Sequence, residues 1–178
     1  MVPGGSRPAQ RANRDRIAAL REHLAAIGAE ALLVPSADPH LSEYLPDRWQ
    51  GRRWLSGFTG SQATLIVAAH KAALFADSRY WEQAEAELAG SGVDLVKIPN
   101  AGSTLHLEWL ARELPKGAVV AVDGQVLGLG AASALRTALD TAGIALRTDV
   151  DLLDAVWTGR SGLPTEAVYE HEPPHATQ

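Results

Sequence analysis

Short apolar runs alternate with amphipathic stretches along most of the chain. Apolar residues at positions 17, 20, 24 and 27 recur at helical spacing, which predicts an amphipathic helix that ends at Gly28. Apolar runs bounded by turn residues predict strands over residues 31–34, 63–68, 72–76, 93–98, 118–122 and 144–146. Further helices are predicted up to about Leu88, from Ser103 or Thr104 to Leu114, and over residues 131–142. The fold class that follows is α/β, with a mixed, largely parallel sheet flanked by helices.

The middle of the chain combines turn signals with a long aperiodic stretch. Periodicity fails over residues 36–53, where prolines, acids and aromatic residues accumulate, so this segment is predicted to be an irregular connection. The apolar runs 63–68 and 72–76 are close enough in sequence to form a β-hairpin. Asp77 or Ser78 is then expected to cap the following helix, because short oxygen-bearing side chains accept the free amides of a first turn.

The two ends of the chain differ in composition from the middle. The total of 178 residues suits one α/β domain, which we place at residues 14–157. Residues 1–13 hold two prolines and two adjacent glycines and are interpreted as a flexible lead-in. Residues 158–178 are rich in proline and polar side chains and are interpreted as a linker toward a missing domain.

Composition and charge exclude several classes of function. Hydrophobic residues make up 46% and charged residues 21% of the chain, as in ordinary globular proteins. The net charge of −5 with scattered basic residues argues against nucleic acid as a partner. No apolar run approaches the roughly 20 residues that cross a bilayer, so no membrane partner is expected. The chain has no cysteine, which removes disulfides and thiol chemistry and agrees with a cytoplasmic location.

Asp38, His40 and Glu43 lie close together in the aperiodic stretch and could act as metal ligands or proton carriers. A hydrolytic metal centre needs three or more converging ligands and an open position, which neighbours in a proline-interrupted loop rarely provide. We therefore expect Asp38 and Ser36 to hydrogen-bond the turn, while His40, Glu43 and Tyr44 order the loop. A small-molecule hydrolase built on His40 and Glu43 stays as a further hypothesis.

Arg79, Tyr80 and Trp81 follow the second strand of the predicted hairpin. Arg79 could donate a fork of hydrogen bonds to a peptide carboxylate or carbonyl, and Tyr80 or Trp81 could form an apolar wall. In the alternative interpretation, Asp77 caps the helix, Arg79 pairs with a local acid such as Glu82, and both rings belong to the core.

Two further patterns resemble binding motifs without meeting their requirements. The glycine-rich residues 57–61 are not followed by Gly-Lys-Ser or Gly-Lys-Thr and lead into a strand, so they predict a tight turn and not a phosphate loop. A stacking platform for single-stranded nucleic acid could be imagined from Trp49, Trp54, Trp109, Trp157, Arg48, Arg52 and Arg53. The acidic total and the helical spacing of Trp109 instead place most of these rings in the core or an interface. No Gly-x-Ser-x-Gly sequence supports a hydrolase triad.

Four segments, in order and at matching spacing, resemble the first domain of the eukaryotic-type Xaa-Pro aminopeptidases (aminopeptidase P). These enzymes belong to the creatinase/prolidase superfamily, peptidase family M24. The segments are PSADPHLSEY at 35–44, RWLSGFTGS at 53–61, FADSRYWEQA at 75–84 and DAVWT at 154–158. The resemblance covers about residues 14–164. Departures from the family pattern are Gln62-Ala63, where relatives have a small residue and glycine, and Gly159-Arg160-Ser161, where relatives have Asp-Arg-Pro.

The resemblance implies a creatinase amino-terminal domain of ribonuclease H-like fold that holds no catalytic residue and no metal ligand. It implies a parent enzyme that removes an amino-terminal residue preceding proline. Two divalent metal ions, typically manganese, would be bound there by two aspartates, a histidine and two glutamates of a separate catalytic domain. The implied partners are that catalytic domain, a second copy in a homodimer and a peptide with proline at its second position.

The same resemblance implies roles in subunit and domain contacts and in shaping the substrate entrance. The candidate residues for these roles are Asp38, His40, Glu43, Tyr44, Arg79, Tyr80 and Trp81. The alternative hypothesis is a stand-alone dimerisation or peptide-binding domain without a catalytic partner.

Overall fold

A six-stranded sheet lies between two layers of helices in the computed structural model, which describes residues 8–167. The strands are β1 (Ala31–Val34), β2 (Thr64–Ala68), β3 (Ala72–Ala76), β4 (Asp94–Lys97), β5 (Val119–Ala121) and β6 (Ala145–Arg147). The helices are α1 (Pro8–Ala26), α2 (Gly51–Ser56), α3 (Trp81–Leu88), α4 (Leu105–Glu113), α5 (Leu129–Ala142) and α6 (Leu152–Val156). Short 3₁₀ turns cover Asp47–Trp49 and Gly124–Val126. None of the helices within residues 8–167 is long and apolar enough to cross a membrane.

The strand order is β4-β3-β2-β1-β5-β6. β2 pairs antiparallel with both β1 and β3, so the predicted hairpin is confirmed. The pairs β3 with β4, β1 with β5 and β5 with β6 are parallel. Five of the six described strands therefore point the same way, and the mixed, largely parallel sheet predicted from the sequence is confirmed. We call the end where these five strands finish, and where β2 begins, the carboxyl end of the sheet.

Alternate residues of each strand enter two separate cores. On one face, Leu32 and Leu74 pack with α1, α2, α3 and α6, where Leu20 of α1 is fully buried. On the other face, Leu33 and Phe75 pack with α4 and α5. This alternation follows from the two-residue period of a strand. Each large aliphatic side chain buried in this way stabilises the fold by about 1.5–3 kcal/mol.

Helix α1 begins at Pro8, so the lead-in predicted over residues 1–13 extends too far. Asn13, which was assigned to that lead-in, is buried, and its side-chain amide donates to the Ser56 carbonyl at 3.1 Å. The contact joins α1 to the end of α2 and explains why the helix continues toward the amino terminus past the first apolar position. Residues 1–7 lie outside the described residues.

Two local predictions in the middle of the chain are also wrong. The irregular connection predicted over residues 36–53 contains the turn Asp47–Trp49 and the start of α2. The helix after β3 begins at Trp81 and has no side-chain cap, so neither Asp77 nor Ser78 is its N-cap. In the segment predicted as a linker, residues 158–167 form no helix or strand, and residues 168–178 lie outside the described residues.

Candidate functional site

The segments singled out in the sequence meet at the carboxyl end of the sheet. Residues 35–45 follow β1, residues 57–63 lead into β2, and residues 77–80 follow β3. The segment before α6 follows β6 at the same end. In open α/β sheets, ligands bind in the crevice outside the carboxyl ends of the strands. This end is therefore the first place to look for a site.

Asp38 organises the loop after β1 from a buried position. Its Oδ1 atom accepts hydrogen bonds from the backbone N–H groups of His40 at 3.0 Å and Ser42 at 2.9 Å. Burial alone would raise the pKa of the Asp38 carboxyl, but the N–H donors of Ser42 and His40 lower it below its ordinary value. Leu41 also donates from its N–H to the Asp38 carbonyl and adopts a φ of 54°, which is unfavourable for a branched residue. The loop is thus held in one strained conformation.

The loop points its remaining side chains into solvent. His40 and Glu43 are exposed, and Tyr44 is 83% exposed. Neither the His40 nor the Glu43 side chain makes a hydrogen bond within residues 8–167. No group of three or more histidine, aspartate or glutamate side chains in that part of the chain could hold a metal ion. The residues present therefore do not fit the dinuclear metal centre that the family resemblance implies for the complete enzyme.

Arg52 is a buried centre of this region that the sequence analysis did not identify as such. Its side chain donates to the Ser36 hydroxyl at 2.8 Å, the Phe58 carbonyl at 3.1 Å and the Gly60 carbonyl at 2.6 Å. The guanidinium also lies over the Phe58 ring, 5.0 Å from its centroid. Burial lowers the pKa of Arg52 to about 10, which keeps the side chain charged at neutral pH. Ser36 in turn donates to the Ala63 carbonyl. The Arg52 side chain therefore connects the loop after β1 and the turn at residues 57–61, and through Ser36 it reaches the start of β2.

The glycine-rich segment after α2 is the tight turn that the sequence predicts. Gly57 ends the helix with a left-handed φ of 79°. A Cβ atom on Gly60 would lie 2.3 Å from Cζ of Phe58 and 2.8 Å from Cδ1 of Tyr80, so only glycine fits there. The Tyr80 hydroxyl lies 2.7 Å from Oγ of Ser61 and connects the turn with the segment after β3.

The Arg79 guanidinium lies over the Tyr80 ring, 5.2 Å from its centroid, but the hydrogen bonds of Arg79 and Trp81 go to other partners. The Arg79 guanidinium donates to both carboxylate oxygens of Asp77, at 2.9 and 2.8 Å, so its partner is Asp77 and not Glu82. The hydrogen bonds from Arg79 lower the pKa of the Asp77 carboxyl. The indole N–H of Trp81 donates to the Ala76 carbonyl. Of the three candidates in this segment, Tyr80 is the one that contacts the turn at residues 57–63, through Ser61 and Phe58.

An open groove runs along the exposed side of α2, and we call it the α2 groove. One half is lined by Glu43, Tyr44, Leu45, Thr59, Gly60 and Ser61, together with Gln50 and Arg53. The other half is lined by Asp47, Trp54, Trp157 and Ser161, again together with Gln50 and Arg53. The side chain of Arg53 lies where the halves meet and makes no hydrogen bond or ion pair within residues 8–167. The groove thus offers a cation, an exposed phenol and hydroxyl groups side by side.

The tryptophan rings do not form a free stacking platform. Trp109 is buried in the core, as its helical spacing predicts. Trp54 and Trp157 stack on one another with ring centroids 4.9 Å apart. Trp49 is covered by the guanidinium of Arg160, 5.4 Å from the ring centroid. These rings are engaged within the protein, in agreement with core and interface positions.

Comparison with known proteins decides the family. The family model of the creatinase/prolidase N-terminal domain matches residues 16–160. The chain belongs to this family. Within the creatinase/prolidase N-terminal domain family, the present chain is homologous to the amino-terminal region of Xaa-Pro aminopeptidases, as the sequence resemblance predicts.

Relatives of this creatinase/prolidase N-terminal domain include much longer proteins. Xaa-Pro aminopeptidase 2 of Sus scrofa is 35% identical over 157 residues, which are 86% of this chain and 23% of the relative. The structure of X-prolyl aminopeptidase from Caenorhabditis elegans, described as a cytosolic enzyme with a di-nuclear active site, superposes with a TM-score of 0.76. That match has 33% identity and covers 85% of this chain and 26% of the enzyme. The N-terminal domain of the cytoplasmic peptidase PepQ from Mycobacterium tuberculosis H37Rv shares the fold, with a TM-score of 0.63 and 23% identity over 80% of this chain and 98% of that one.

Proposed function

We propose that this chain is the non-catalytic amino-terminal domain of a metal-dependent Xaa-Pro aminopeptidase. In this role it shapes the entrance through which a peptide with proline at its second position reaches the catalytic site, and it contributes domain and subunit contacts. The observation that carries the proposal is the rigid presentation of exposed side chains at the carboxyl end of the sheet by the buried residues Asp38 and Arg52.

The energetic cost of this arrangement supports a functional role. A residue in the left-handed region costs of the order of 1–2 kcal/mol unless it is glycine, and Leu41 occupies that region although the residue is 64% exposed. An exposed leucine and the exposed Tyr44 gain little from burial within this chain. Such strain persists where the presented surface is used for contact with a substrate or another domain.

The chemistry of hydrolysis is assigned to another part of the parent protein. The Caenorhabditis elegans relative is described with a di-nuclear active site, whereas residues 8–167 of this chain offer no group of three metal ligands. Two divalent ions, typically manganese, and the residues that bind them would then lie in a catalytic domain. In this proposal the described residues bind and orient the peptide and restrict its access to the catalytic site.

The candidate residues divide between two roles under this proposal. Glu43 and Tyr44 line the α2 groove, and Tyr80 shares a hydrogen bond with Ser61 of its lining, so these three residues are suited to contact the peptide or the catalytic domain. His40 lies on the exposed loop after β1, and the buried carboxylate of Asp38 fixes that loop by accepting a hydrogen bond from the His40 N–H. Arg79 and Trp81 lie outside the groove and are suited to a subunit contact in a homodimer. A cytoplasmic location completes the proposal and agrees with the description of the Caenorhabditis elegans enzyme as cytosolic.

The test uses the complete enzyme that carries this domain and measures hydrolysis of Xaa-Pro peptides. Tyr44→Ala and Arg53→Gln are expected to raise KM about fivefold with little change in kcat, because one lost contact is worth about 1 kcal/mol. His70→Ala, an exposed change in the hairpin turn at the opposite end of the sheet, is the control. Unchanged KM in both groove variants, or an equal rise in the control, contradicts the proposal.

A stand-alone peptide-binding domain is the second candidate, and the unpaired Arg53 of the open α2 groove favours it. The 178-residue chain alone, titrated calorimetrically with a peptide that begins Xaa-Pro, distinguishes the two. Binding to the chain alone, abolished by Arg53→Gln, supports the second candidate. No heat of binding supports an accessory domain that needs its catalytic partner.

A further inference from the structure

Three tryptophan and three arginine side chains form one continuous ladder where the chain leaves the α/β unit. Consecutive members contact each other in the order Arg16, Trp54, Trp157, Arg160, Trp49 and Arg48. The first guanidinium lies 4.8 Å from the centroid of Trp54, and Arg160 lies between two rings, 5.8 Å from Trp157 and 5.4 Å from Trp49. The ladder joins α1, α2 and the 3₁₀ turn at Asp47–Trp49 to residues 157–160.

The carboxylates of Asp151 and Asp154 hold two arginines of the ladder in place by hydrogen bonds. The Arg160 side chain is only 3% exposed, and its Nη1 atom donates to Asp151 at 2.6 Å and to Asp154 at 2.7 Å. Its Nε atom donates to the Arg48 carbonyl at 3.0 Å. Arg48 donates to Asp154 at 2.9 Å and to the Ser161 carbonyl at 3.0 Å. Charge-assisted bonds of a planar fork fix direction as well as distance, which single surface ion pairs do not.

We infer that this ladder, with Arg160 at its centre, is a clamp that fixes the point and direction at which the chain leaves the domain. Residues 157–161 form no helix or strand, and the backbone hydrogen bonds donated by Trp157, Thr158 and Arg160 reach only to residues 153–157. Side-chain contacts therefore join this segment to the earlier part of the domain. Those contacts reach back to Arg48 of the 3₁₀ turn and to Trp54 of α2, which lie more than 100 residues earlier in the sequence. Arg160 is therefore a positioning residue of the exit segment.

The clamp places the exit beside the candidate site. Trp157 and Ser161 line the same groove as Arg53, and that groove continues to Tyr44 and Ser61. A domain that follows Ser161 starts from a fixed point at the carboxyl end of the sheet. This consequence rests on the proposed function, whereas the clamp itself is a property of the present chain.

The experiment compares the 178-residue chain with its Arg160→Gln and Arg160→Lys variants by hydrogen exchange and near-ultraviolet circular dichroism. Glutamine removes the charge and the fork, so exchange at residues 157–161 is expected to rise at least about tenfold while exchange in β1, β2 and β3 stays unchanged. The coupled dichroism of the stacked Trp54 and Trp157 should be lost together with the protection. Lysine keeps the charge without the fork and should give an intermediate rise. Arg53→Gln, an exposed change in the adjoining groove, should match the unmodified chain.

Two results overturn the clamp. Exchange and dichroism that are the same in Arg160→Gln as in the unmodified chain show that Arg160 does not hold the exit. Exchange that rises across the sheet as much as at residues 157–161, in both Arg160 variants, shows that Arg160 supports the whole fold and not the exit. Because the measurements use the chain without a catalytic partner, their failure leaves the proposed function to its own test of KM in the complete enzyme.

Discussion

The hydroxyl of Ser36 accepts a hydrogen bond from Nε of Arg52 at 2.8 Å and donates one to the Ala63 carbonyl at 2.7 Å. This pair connects the end of β1 with α2 and with the beginning of β2. Arg52 is only 3% exposed, and its Nη1 and Nη2 atoms donate to the backbone carbonyls of Phe58 and Gly60. The loops that carry the candidate site therefore depend on one buried cation that has no carboxylate within hydrogen-bonding distance among the described residues.

Replacing Arg52 by alanine should destabilise the protein by about 3 kcal/mol, because it leaves the carbonyls of Phe58 and Gly60 without their donors. Urea denaturation of the purified chain measures the change. The neighbouring Arg53→Ala removes an exposed side chain and should stay within about 0.5 kcal/mol of the original. Equal stability of the two variants contradicts the structural role of Arg52.

Asp123→Asn should stabilise the protein at neutral pH. Burial raises the pKa of the Asp123 carboxyl, and repulsion from Asp151 raises it further. In the unfolded chain the pKa of an aspartate is about 3.9. Because the pKa is higher in the folded state, the ionised carboxylate destabilises the fold, and stability is lost as the pH rises from the unfolded to the folded pKa. Asparagine removes the charge and retains an oxygen to accept the bond from the N–H of Gln125.

The measurement for Asp123→Asn is the difference in free energy of unfolding between variant and original from pH 4 upward, which should grow with pH and then level off. Asp149→Asn is the control of opposite sign. The hydrogen bonds from Arg147 lower the pKa of Asp149, so this variant should be less stable than the original at neutral pH and should lose that difference as the pH falls. A pH-independent difference for Asp123→Asn counts against the buried charge as its cause.

Gly60→Ala should lower the stability by about 1–3 kcal/mol through overpacking, because the new methyl group meets the fully buried ring of Phe58. For a chain of this size each kcal/mol corresponds to about 2–4 °C in Tm, which thermal unfolding resolves. Gly130→Ala is the matched control within α5, where a Cβ atom would meet nothing within 4 Å and where alanine favours the helix. A Tm for Gly60→Ala equal to that of the original contradicts the close approach.

Leu41→Gly should leave stability unchanged or raise it by up to about 1 kcal/mol. Glycine removes the strain of a positive φ, and the greater freedom of the unfolded chain offsets part of that gain. In the complete enzyme the same change should weaken catalysis if Leu41 contacts a substrate or another domain. Chemical denaturation and peptide hydrolysis, measured on the same variant, separate the two effects. A marked loss of stability contradicts the strain at Leu41.

The strands and helices that were predicted correctly from the sequence are those with a regular apolar pattern. The strands β1 and β3 are apolar throughout and β2 is apolar after Thr64, so their runs and the hairpin between two of them were visible. The helices α1 and α4 showed apolar residues at helical spacing. Helix α2 has six residues, fewer than two turns, and so produced no periodic signal. Arg52 and Arg53 are neighbours of the same type, and only the folded arrangement of the Phe58 and Gly60 carbonyls makes the first a buried centre and the second an exposed one.

Side-chain competition explains the errors at the candidate site. Asp77 has the right chemistry for an N-cap, but Arg79, two residues later, takes both of its oxygens. Glu82, suggested as a nearby acid that could pair with Arg79, lies in the helix that begins at Trp81, whereas Asp77 accepts both bonds of the guanidinium. Asp38 was correctly predicted to hydrogen-bond its turn because an aspartate next to proline and polar residues satisfies nearby N–H groups in most loop conformations.

The pairing of β1 with β5 has a consequence for how the molecule assembles. Strands β1 to β4 lie within the first 97 residues, whereas β5 reaches β1 through the pairs Ala31 with Val120 and Leu32 with Ala121. During synthesis from the ribosome, a four-stranded half can therefore form while one side of β1 still lacks a neighbour. An unpaired strand edge invites mispairing, so the arrival of β5 and β6 is the step at which aggregation competes with folding.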